Sequence, residues 1–478
     1  MNTAPDHMTK TLAGYVSGLA LGEIPDPVIT EARRLILDTI GCILAATRTR
    51  IAPISYGLAD FLGDAQIASV AGRQKRASLA GALYANGRLA NCMDLDDTFP
   101  VTHHFGSTCV VSALALAEAR GATGAQFLQA VVAGYELGGR VASACGPIVD
   151  FENGQIAGYP KLYSCATPVV FAAAGAAIQL ERQDASTAYQ TLGITGSNTP
   201  VPAAYKWATS VELPDCKYAD AGWAAVTGVM AARSASLGAT GFDRIFDGDH
   251  NVIGMSGTDS FDPDLLVGDL GSRWMMLDIT YKAWPNCRWT HQALTALTDL
   301  LETTVVDPED IDQIIVQTNQ FTSTPRFTNP SPKSFCSRQF SIPHAIAMLL
   351  LDVPIGPAWL DETQDSDPRV QMLRDKVSVE EWGPANLFGR YLVRSQTRNM
   401  PTQAAILLHD GRRYSARSDF ALGDPWTPAT AWGDQHVVKK FRTVSGLTDA
   451  QADRIVEASL NIEKLPDVES LAAALRDI

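Results

Sequence analysis

Apolar residues recur at helical spacing through the first half of the chain. After Pro25-Asp26-Pro27, apolar side chains occupy Val28, Ala32, Leu35, Ile36, Ile40 and Ile43. These positions follow the period of one helix face. Asp26 is expected to cap this helix and Ser78 the next one. Further Ala-rich helices are predicted over Ser107–Arg120, Ala125–Val141 and Pro168–Leu180. Their small side chains predict a tightly packed bundle, with Gly138-Gly139 at a close helix contact.

The pattern changes near residue 275. Ile311, Gln313, Ile315 and Gln317 alternate with residues of the other face in an Ile/Val-rich run, which predicts a strand. Ala404–Leu408, Asp410-Gly411 and Arg412–Ser415 together predict a β-hairpin. Helical spacing returns at Val437–Thr443, Asp449–Leu460 and Val468–Leu475. The predicted fold is therefore mainly α, with a large all-helical domain (1–275 and 425–478) and an inserted, smaller α+β lid domain (276–424).

Composition narrows the functional classes. The chain has 478 residues, 46% of them hydrophobic and 19% charged, with a net charge of −14. This charge argues against nucleic-acid binding, although local Lys and His residues can still hold an anionic substrate. No apolar run reaches the roughly 18 residues of a membrane span, and Met1–His7 do not resemble a signal peptide, so we expect a cytoplasmic protein. The eight cysteines form no C-x-x-C pair, which favours reduced thiols over disulfides or zinc.

The densest polar stretch is Met93 to Gly106. It holds three carboxylates, two imidazoles and two hydroxyls within 14 residues, between Ala-rich apolar segments. One interpretation is a solvated loop, since Pro100 and Gly106 mark a break. The other is a site at the mouth of the helical core, where Asp and His exchange protons with a ligand.

This stretch also resembles a known family. Asp94-Leu95-Asp96-Asp97-Thr98 followed by His104 is similar to an acidic motif of the MmgE/PrpD family. Further motifs continue the resemblance in the same order over most of the chain: Gly134-Tyr135-Glu136, Lys217 with Gly222 and Ala224-Ala225, Lys282-Ala283-Trp284-Pro285-Asn286-Cys287, and Phe340-Ser341. The resemblance implies a helical domain with a lid, a homodimer, and an enzyme that acts on small di- or tricarboxylates without metal or organic cofactor.

The resemblance also implies a set of site residues. The predicted catalytic residues are Asp94, His104, Tyr163, Lys217 and Lys282. The predicted substrate-binding residues are Thr98, His103, Lys161, Lys206, Cys287 and Phe321. The resemblance implies those that match its motifs, and the others are candidates from the same polar stretches. Asp96, Asp97 and His291 are interpreted as structural.

Three features depart from the family pattern. Tyr163 stands at a family His, Asp220 stands where a His is usual, and Phe321 stands near a lid Tyr of the decarboxylases. Residues 200–216 are also longer than in close relatives. Tyr163 is expected either to donate a proton or only to fill the space of the His.

Three functions stay open. The first is a lyase or isomerase that removes a proton from a carbon next to a carboxylate, with loss of water or carbon dioxide. The second is an epimerase of an imino- or aminodicarboxylate, which Phe99-Pro100-Val101 favours through its resemblance to the epimerases. The third is a non-catalytic binding protein on the same scaffold, since the family His is replaced.

Overall fold

The structure is a computed structural model. It describes residues 7–100, 102–146, 150–153, 155–158, 166–200, 209–216, 220–255, 261–387, 392–393 and 396–476. Four residues with predicted roles, Tyr163, Lys161, Lys206 and Lys217, lie outside these ranges.

The first part of the described chain is mainly helical. Its elements are α1 (Met8–Gly18), α2 (Asp26–Ala46), α3 (Ile51–Phe61), α4 (Leu79–Asn91), α5 (Gly106–Arg120), α6 (Gly124–Cys145), β1 (Asp150–Glu152), β2 (Gln155–Gly158), α7 (Ala166–Leu180), α8 (Ala185–Ser197), α9 (Ala221–Ser236), α10 (Val252–Met255) and α11 (Pro263–Val267). The predicted Ala-rich helices are thus present with slightly different ends. The short antiparallel hairpin β1–β2 shows that the term all-helical was too strict for this part.

The second part mixes helices and strands. Its elements are α12 (His291–Thr303), β3 (Ile311–Thr318), α13 (Pro325–Thr328), α14 (Phe335–Arg338), α15 (Ile342–Leu350), α16 (Pro368–Asp375), β4 (Val377–Glu381), β5 (Leu392–Val393), β6 (Gln396–Thr397), β7 (Thr402–Leu408), β8 (Arg413–Ser418), α17 (Asp434–Ser445), α18 (Asp449–Leu460) and α19 (Glu469–Arg476). The mainly α class is confirmed.

The two predicted helix caps have different outcomes. The Ser78 hydroxyl accepts a hydrogen bond from the Gly81 amide at 3.1 Å, so this prediction is confirmed. Asp26 is the first residue of α2, and Pro25 occupies the cap position without a side-chain bond. The Asp26 prediction was therefore wrong. The carboxylate lies in the first turn instead, where it faces the positive end of the helix dipole.

Small residues set the spacing of the helical core. A Cβ on Gly138 would lie 2.8 Å from the Cβ of Ala172 on α7, and a Cβ on Gly139 would lie 2.6 Å from the Cβ of Met275. Only glycine fits such contacts without displacing the neighbouring chain. The predicted close packing at these glycines is confirmed.

A four-stranded sheet forms in the second part, in the order β4-β3-β7-β8. β3 pairs in parallel with β4 and antiparallel with β7, and β7 pairs antiparallel with β8. The predicted strand and hairpin are therefore present. A register shift between Ile311 and Gln313 turns Ile311 to the buried side together with Ile314 and Val316, because an extra residue reverses the alternation.

The end of the chain returns to the first helices. Helix α17 packs on α2, with Phe441 close to Gly41. In the part of the chain that the structure describes, no helix is long and apolar enough to cross a membrane.

Candidate active site

The acidic loop connects α4 to α5 and folds back on itself. The Phe99 amide donates to the His103 carbonyl at 2.7 Å, which closes a tight reversal. Thr98 and Thr280 exchange two backbone hydrogen bonds of 2.9 Å each. This bridge brings the segment after Thr280 beside the acidic loop, so Lys282 lies next to Asp94.

Asp94, His104 and Lys282 form one buried cluster with Asp96. The Lys282 ammonium lies 2.5 Å from Asp94 Oδ1 and 2.9 Å from the Asp94 carbonyl oxygen. His104 Nε2 is 3.6 Å from Asp94 Oδ1, and its Nδ1 is 3.2 Å from Asp96 Oδ1. Three of the five predicted catalytic residues therefore meet in space, although they are separated by up to 188 residues in sequence.

Asp94 has an unusual backbone conformation. Its φ angle is 55°, in the left-handed region. Asp adopts this region more readily than most residues other than glycine. The conformation places both the Asp94 carboxylate and its own carbonyl oxygen against the Lys282 ammonium.

Asp96 and Asp97 hold the loop from within. Both Asp96 oxygens accept hydrogen bonds from the Asn91 side chain, at 3.2 and 3.0 Å. Asp97 Oδ1 accepts from the Gly106 amide at 2.9 Å, at the start of α5. Burial, followed by the charge of Asp96, raises the pKa of Asp97 well above its usual range. These contacts support the predicted structural role of both residues.

Thr98 and His103 also bond within the protein. The Thr98 hydroxyl donates to the Pro100 carbonyl at 2.9 Å and contacts the Thr280 hydroxyl. His103 Nδ1 is 2.9 Å from the Thr102 hydroxyl, and its ring stacks on Phe105. Burial lowers the pKa of His103 to about 3, so the ring is neutral at physiological pH. Their substrate-binding roles stay predictions.

Cys287 borders the cluster from the C-terminal side. Its amide donates to the Gln339 carbonyl at 2.8 Å, and the Gln339 side chain donates to the Cys92 carbonyl at 2.8 Å. Burial, reinforced by the Asp94 charge, raises the pKa of the Cys287 thiol to about 12. A thiol with this pKa is protonated at neutral pH and is not a nucleophile, which agrees with the predicted lining role.

Several aromatic rings surround the guanidinium of Arg326 near Cys287. Phe321 packs on Trp289, with 4.4 Å between ring centroids. The guanidinium of Arg326 lies over Phe321, Phe327 and Phe340, at 5.0 Å from the Phe327 centroid. Its charge opposes the rise of the Cys287 pKa. Nothing in the local sequence distinguishes Arg326 from a surface arginine, so its burial could not be predicted.

Three further polar residues make structural contacts near the site. Asp220, at the position of the usual His, pairs with Arg88 at 2.5 Å and accepts from the Gly222 amide at 3.0 Å as the cap of α9. His291 Nε2 lies 3.1 Å from the Asn286 carbonyl, consistent with its structural interpretation. Lys440, which was not predicted as a site residue, donates to the Leu95 carbonyl from 345 residues away. Only tertiary structure reveals that contact.

One atom from each of Asp94, Asp96 and His104 lies within 4.8 Å of the others, a spacing compatible with a metal ion. The Lys282 ammonium already supplies a positive charge to Asp94. The chemistry that these residues support on their own is proton transfer beside a fixed cation.

Comparison with known proteins identifies the class. Residues 10–263 match the MmgE/PrpD N-terminal domain, and residues 284–464 match the MmgE/PrpD C-terminal domain. The chain therefore belongs to the MmgE/PrpD family, as its motifs indicated.

Named relatives narrow the class further. Cis-aconitate decarboxylase of Homo sapiens is 25% identical over 98% of this chain and 94% of its own length. Cis-aconitate decarboxylase of Mus musculus is also 25% identical, over 98% and 93%. A cis-aconitate decarboxylase-like protein, oryM, of Aspergillus oryzae is 26% identical over 66% of this chain and 65% of its own length. These relationships support an enzyme of the dehydratase or decarboxylase type.

Proposed function

We propose that this protein is a lyase that transfers a proton at a carbon next to a carboxylate of a small di- or tricarboxylate. In a dehydration the proton is removed from that carbon as water leaves, and in a decarboxylation the carbanion left by carbon dioxide takes up a proton. The observation that carries the proposal is the buried contact of Asp94, His104 and Lys282. The family and the named relatives make decarboxylation the first reaction to test.

In this proposal His104 is the group that moves the proton. The negative charge of Asp96, whose Oδ1 lies 3.2 Å from Nδ1, favours a proton on that nitrogen. Nε2, on the Asp94 side, then exchanges a proton with the substrate. A carboxylate on one imidazole nitrogen fixes the tautomer and makes the other nitrogen a better base.

Lys282 supplies the cation. Removing the α-proton increases negative charge on the adjacent substrate carboxylate, and a positive charge fixed in a buried site stabilises that change. Arg326, buried beside three phenylalanine rings, is a second cation whose charge acts on Cys287. Tyr163, Lys217, Lys161 and Lys206 stay predictions as a proton donor and further cations.

The arrangement of the chain suggests how substrate is enclosed. We infer that residues 276–424 form the lid domain, since Thr280, Lys282 and Gln339 each contact the acidic loop or the end of α4. A homodimer is inferred from the family resemblance, and light scattering at micromolar concentration tests it.

The test is a panel of di- and tricarboxylates, including cis-aconitate, incubated in deuterated water and followed by NMR. A dehydratase gives a product that has lost water, and a decarboxylase gives a product that has lost carbon dioxide and carries a deuterium from the solvent. Exchange with inversion but no loss of water or carbon dioxide indicates the epimerase alternative. Saturable binding with neither product nor exchange on any substrate contradicts the enzyme and favours a binding protein.

Two variants sharpen the assignment. His104→Asn should reduce turnover by about 10²–10⁴-fold, the usual contribution of an acid-base group. His409→Gln is the matched control, because His409 lies half-exposed beside Asp312 and away from the cluster. Equal activities of the two variants would exclude His104 as the proton-transfer group.

A further inference from the structure

Two buried lysines bind successive carbonyls of the acidic loop. Lys282 donates to the Asp94 carbonyl at 2.9 Å, and Lys440 donates to the Leu95 carbonyl at 2.7 Å. Lys282 comes from the segment after the Thr280 bridge, whereas Lys440 comes from α17 near the end of the chain. The loop is therefore held from two different parts of the sequence.

Lys440 is itself held by a buried carboxylate. Its ammonium lies 2.7 Å from Asp38 Oδ1 on α2, and both side chains are almost fully buried. Burying two charges is costly, and replacing such a pair by apolar residues is often neutral for stability. The pair has a second contact, the Leu95 carbonyl, that an apolar pair would not make.

The hydrogen bond from Lys440 to the Leu95 carbonyl fixes the orientation of the Leu95–Asp96 peptide. Leu95 lies between Asp94, with its left-handed φ of 55°, and Asp96, which contacts His104 Nδ1. A rotation of the Leu95–Asp96 peptide would move the Asp96 backbone and, with it, the carboxylate that orients His104. Burial, with a further contribution from Asp96, also raises the pKa of Asp38, which indicates that the pair and the loop interact electrostatically.

We infer that Lys440, held by Asp38, is a positioning residue of this site: it fixes the Leu95 carbonyl so that Asp94 and Asp96 face His104. This inference rests on the proposed function for its catalytic consequence, but the position of His104 can be measured without any substrate.

The experiment compares double variants. Asp38→Leu/Lys440→Met removes both charges and the donor to Leu95. Asp38→Asn/Lys440→Gln also removes the charges, and its amide ends one bond short of the ammonium, so it loses the same hydrogen bond while staying polar. The second variant keeps the test possible if the first does not fold. Thermal unfolding shows which variants are folded.

The control is an exposed pair in the same region. Arg33 on α2 pairs with Glu463 at 2.7 Å. The side chains of this pair are far more exposed than those of Lys440 and Asp38. Arg33→Gln/Glu463→Gln thus removes another link between α2 and the end of the chain without touching the acidic loop.

The readouts are the ring ¹⁵N chemical shifts of His104 at fixed pH, assigned with His104→Asn, and kcat and KM on the best substrate of the panel. We expect the folded double variants to change the His104 ring shifts and to lower kcat at least tenfold, with KM changed less than threefold. The control should match the wild type. Unchanged His104 ring shifts in a folded double variant would overturn the inference. Absence of turnover in the wild type would instead count against the proposed function and leave the NMR result to decide the positioning role.

Discussion

The two sides of the acidic loop pack through different kinds of residue. On the helical side, α5, α6 and α7 pack through glycine and alanine, and a single added methyl at Gly138 or Gly139 would meet a neighbour within 2.8 Å. On the C-terminal side, large rings of Trp289, Phe321, Phe327 and Phe340 surround or adjoin a buried arginine. The helical side gives a rigid frame with the acid groups, and the C-terminal side adds cations.

The two regions supply different groups to the site. Asp94, Asp96 and His104 lie on one continuous loop between α4 and α5. Lys282 and Lys440, which bind this loop, come from much later in the chain. Charge balance in the site therefore depends on the correct association of both regions.

The largest effect is expected from removing the ammonium group of Lys282. Lys282→Met leaves the Asp94 carboxylate buried without its ammonium partner, and breaking a buried pair in this way costs about 3–5 kcal/mol. Urea unfolding measures the loss, and turnover should fall below detection. Lys464→Met, at an exposed position, is the control. Near-wild-type stability of Lys282→Met would show that the ion pair is not the link between the two regions.

The next effect concerns a buried acid of the helical side. Burial raises the pKa of Glu136 on α6 from 4.5 to about 7, despite the opposing charge of Arg140. Between these values the folded state keeps the proton and the unfolded state releases it. Stability therefore falls as pH rises from about 4.5 to 7, by about 3 kcal/mol in total, at about 1.4 kcal/mol per unit.

Glu136→Gln should remove this pH dependence. The variant should equal the wild type near pH 4.5 and exceed it in stability above pH 7, as measured by urea unfolding across the range. Glu457→Gln, at an exposed position of α18, should retain the wild-type slope. A Glu136→Gln variant with the wild-type slope would assign that slope to other groups.

A smaller effect tests the packing difference directly. Gly138→Ala places a methyl 2.8 Å from the Ala172 Cβ and 2.9 Å from the Phe105 ring, and such overpacking costs about 1–3 kcal/mol. Gly57→Ala in α3 has nothing within 4 Å and should stabilise by about 0.5–1 kcal/mol, since alanine is the better helix former. Thermal unfolding distinguishes them by sign. Stabilisation by both would mean that α6 and α7 can separate without cost.

The sequence predicted the helices and strands better than the contacts between residues that are distant along the chain. Helical spacing and the Asp410-Gly411 turn are local signals, so the Ala-rich helices and the β7–β8 hairpin could be predicted. The acidic motif with His104, and the motif at Lys282, selected residues that do meet. The Asp26 cap failed because Pro25 can occupy the same position, and local sequence does not decide between them.

Lys440 and Arg326 could not be found in this way. Lys440 lies on an ordinary amphipathic helix, and its role depends on α17 packing on α2. Arg326 gains significance only from three rings that arrive from residues 321–340 folded around it. A single sequence gives no local sign of a buried charge whose partners are distant along the chain.

The smallest effect is expected at Cys287, where the two regions meet. Because burial keeps its pKa at about 12, the thiol carries almost no thiolate at pH 7 and should resist alkylation by iodoacetamide in the native protein. Cys287→Ala removes one buried sulfur and should lower kcat less than threefold, if the residue only lines the site. Cys216, which is exposed, is the internal control and should be alkylated readily. Rapid alkylation of Cys287 that abolishes turnover, together with an inactive Cys287→Ala variant, would instead place the thiol in the chemistry and would require a base that lowers its pKa when substrate binds.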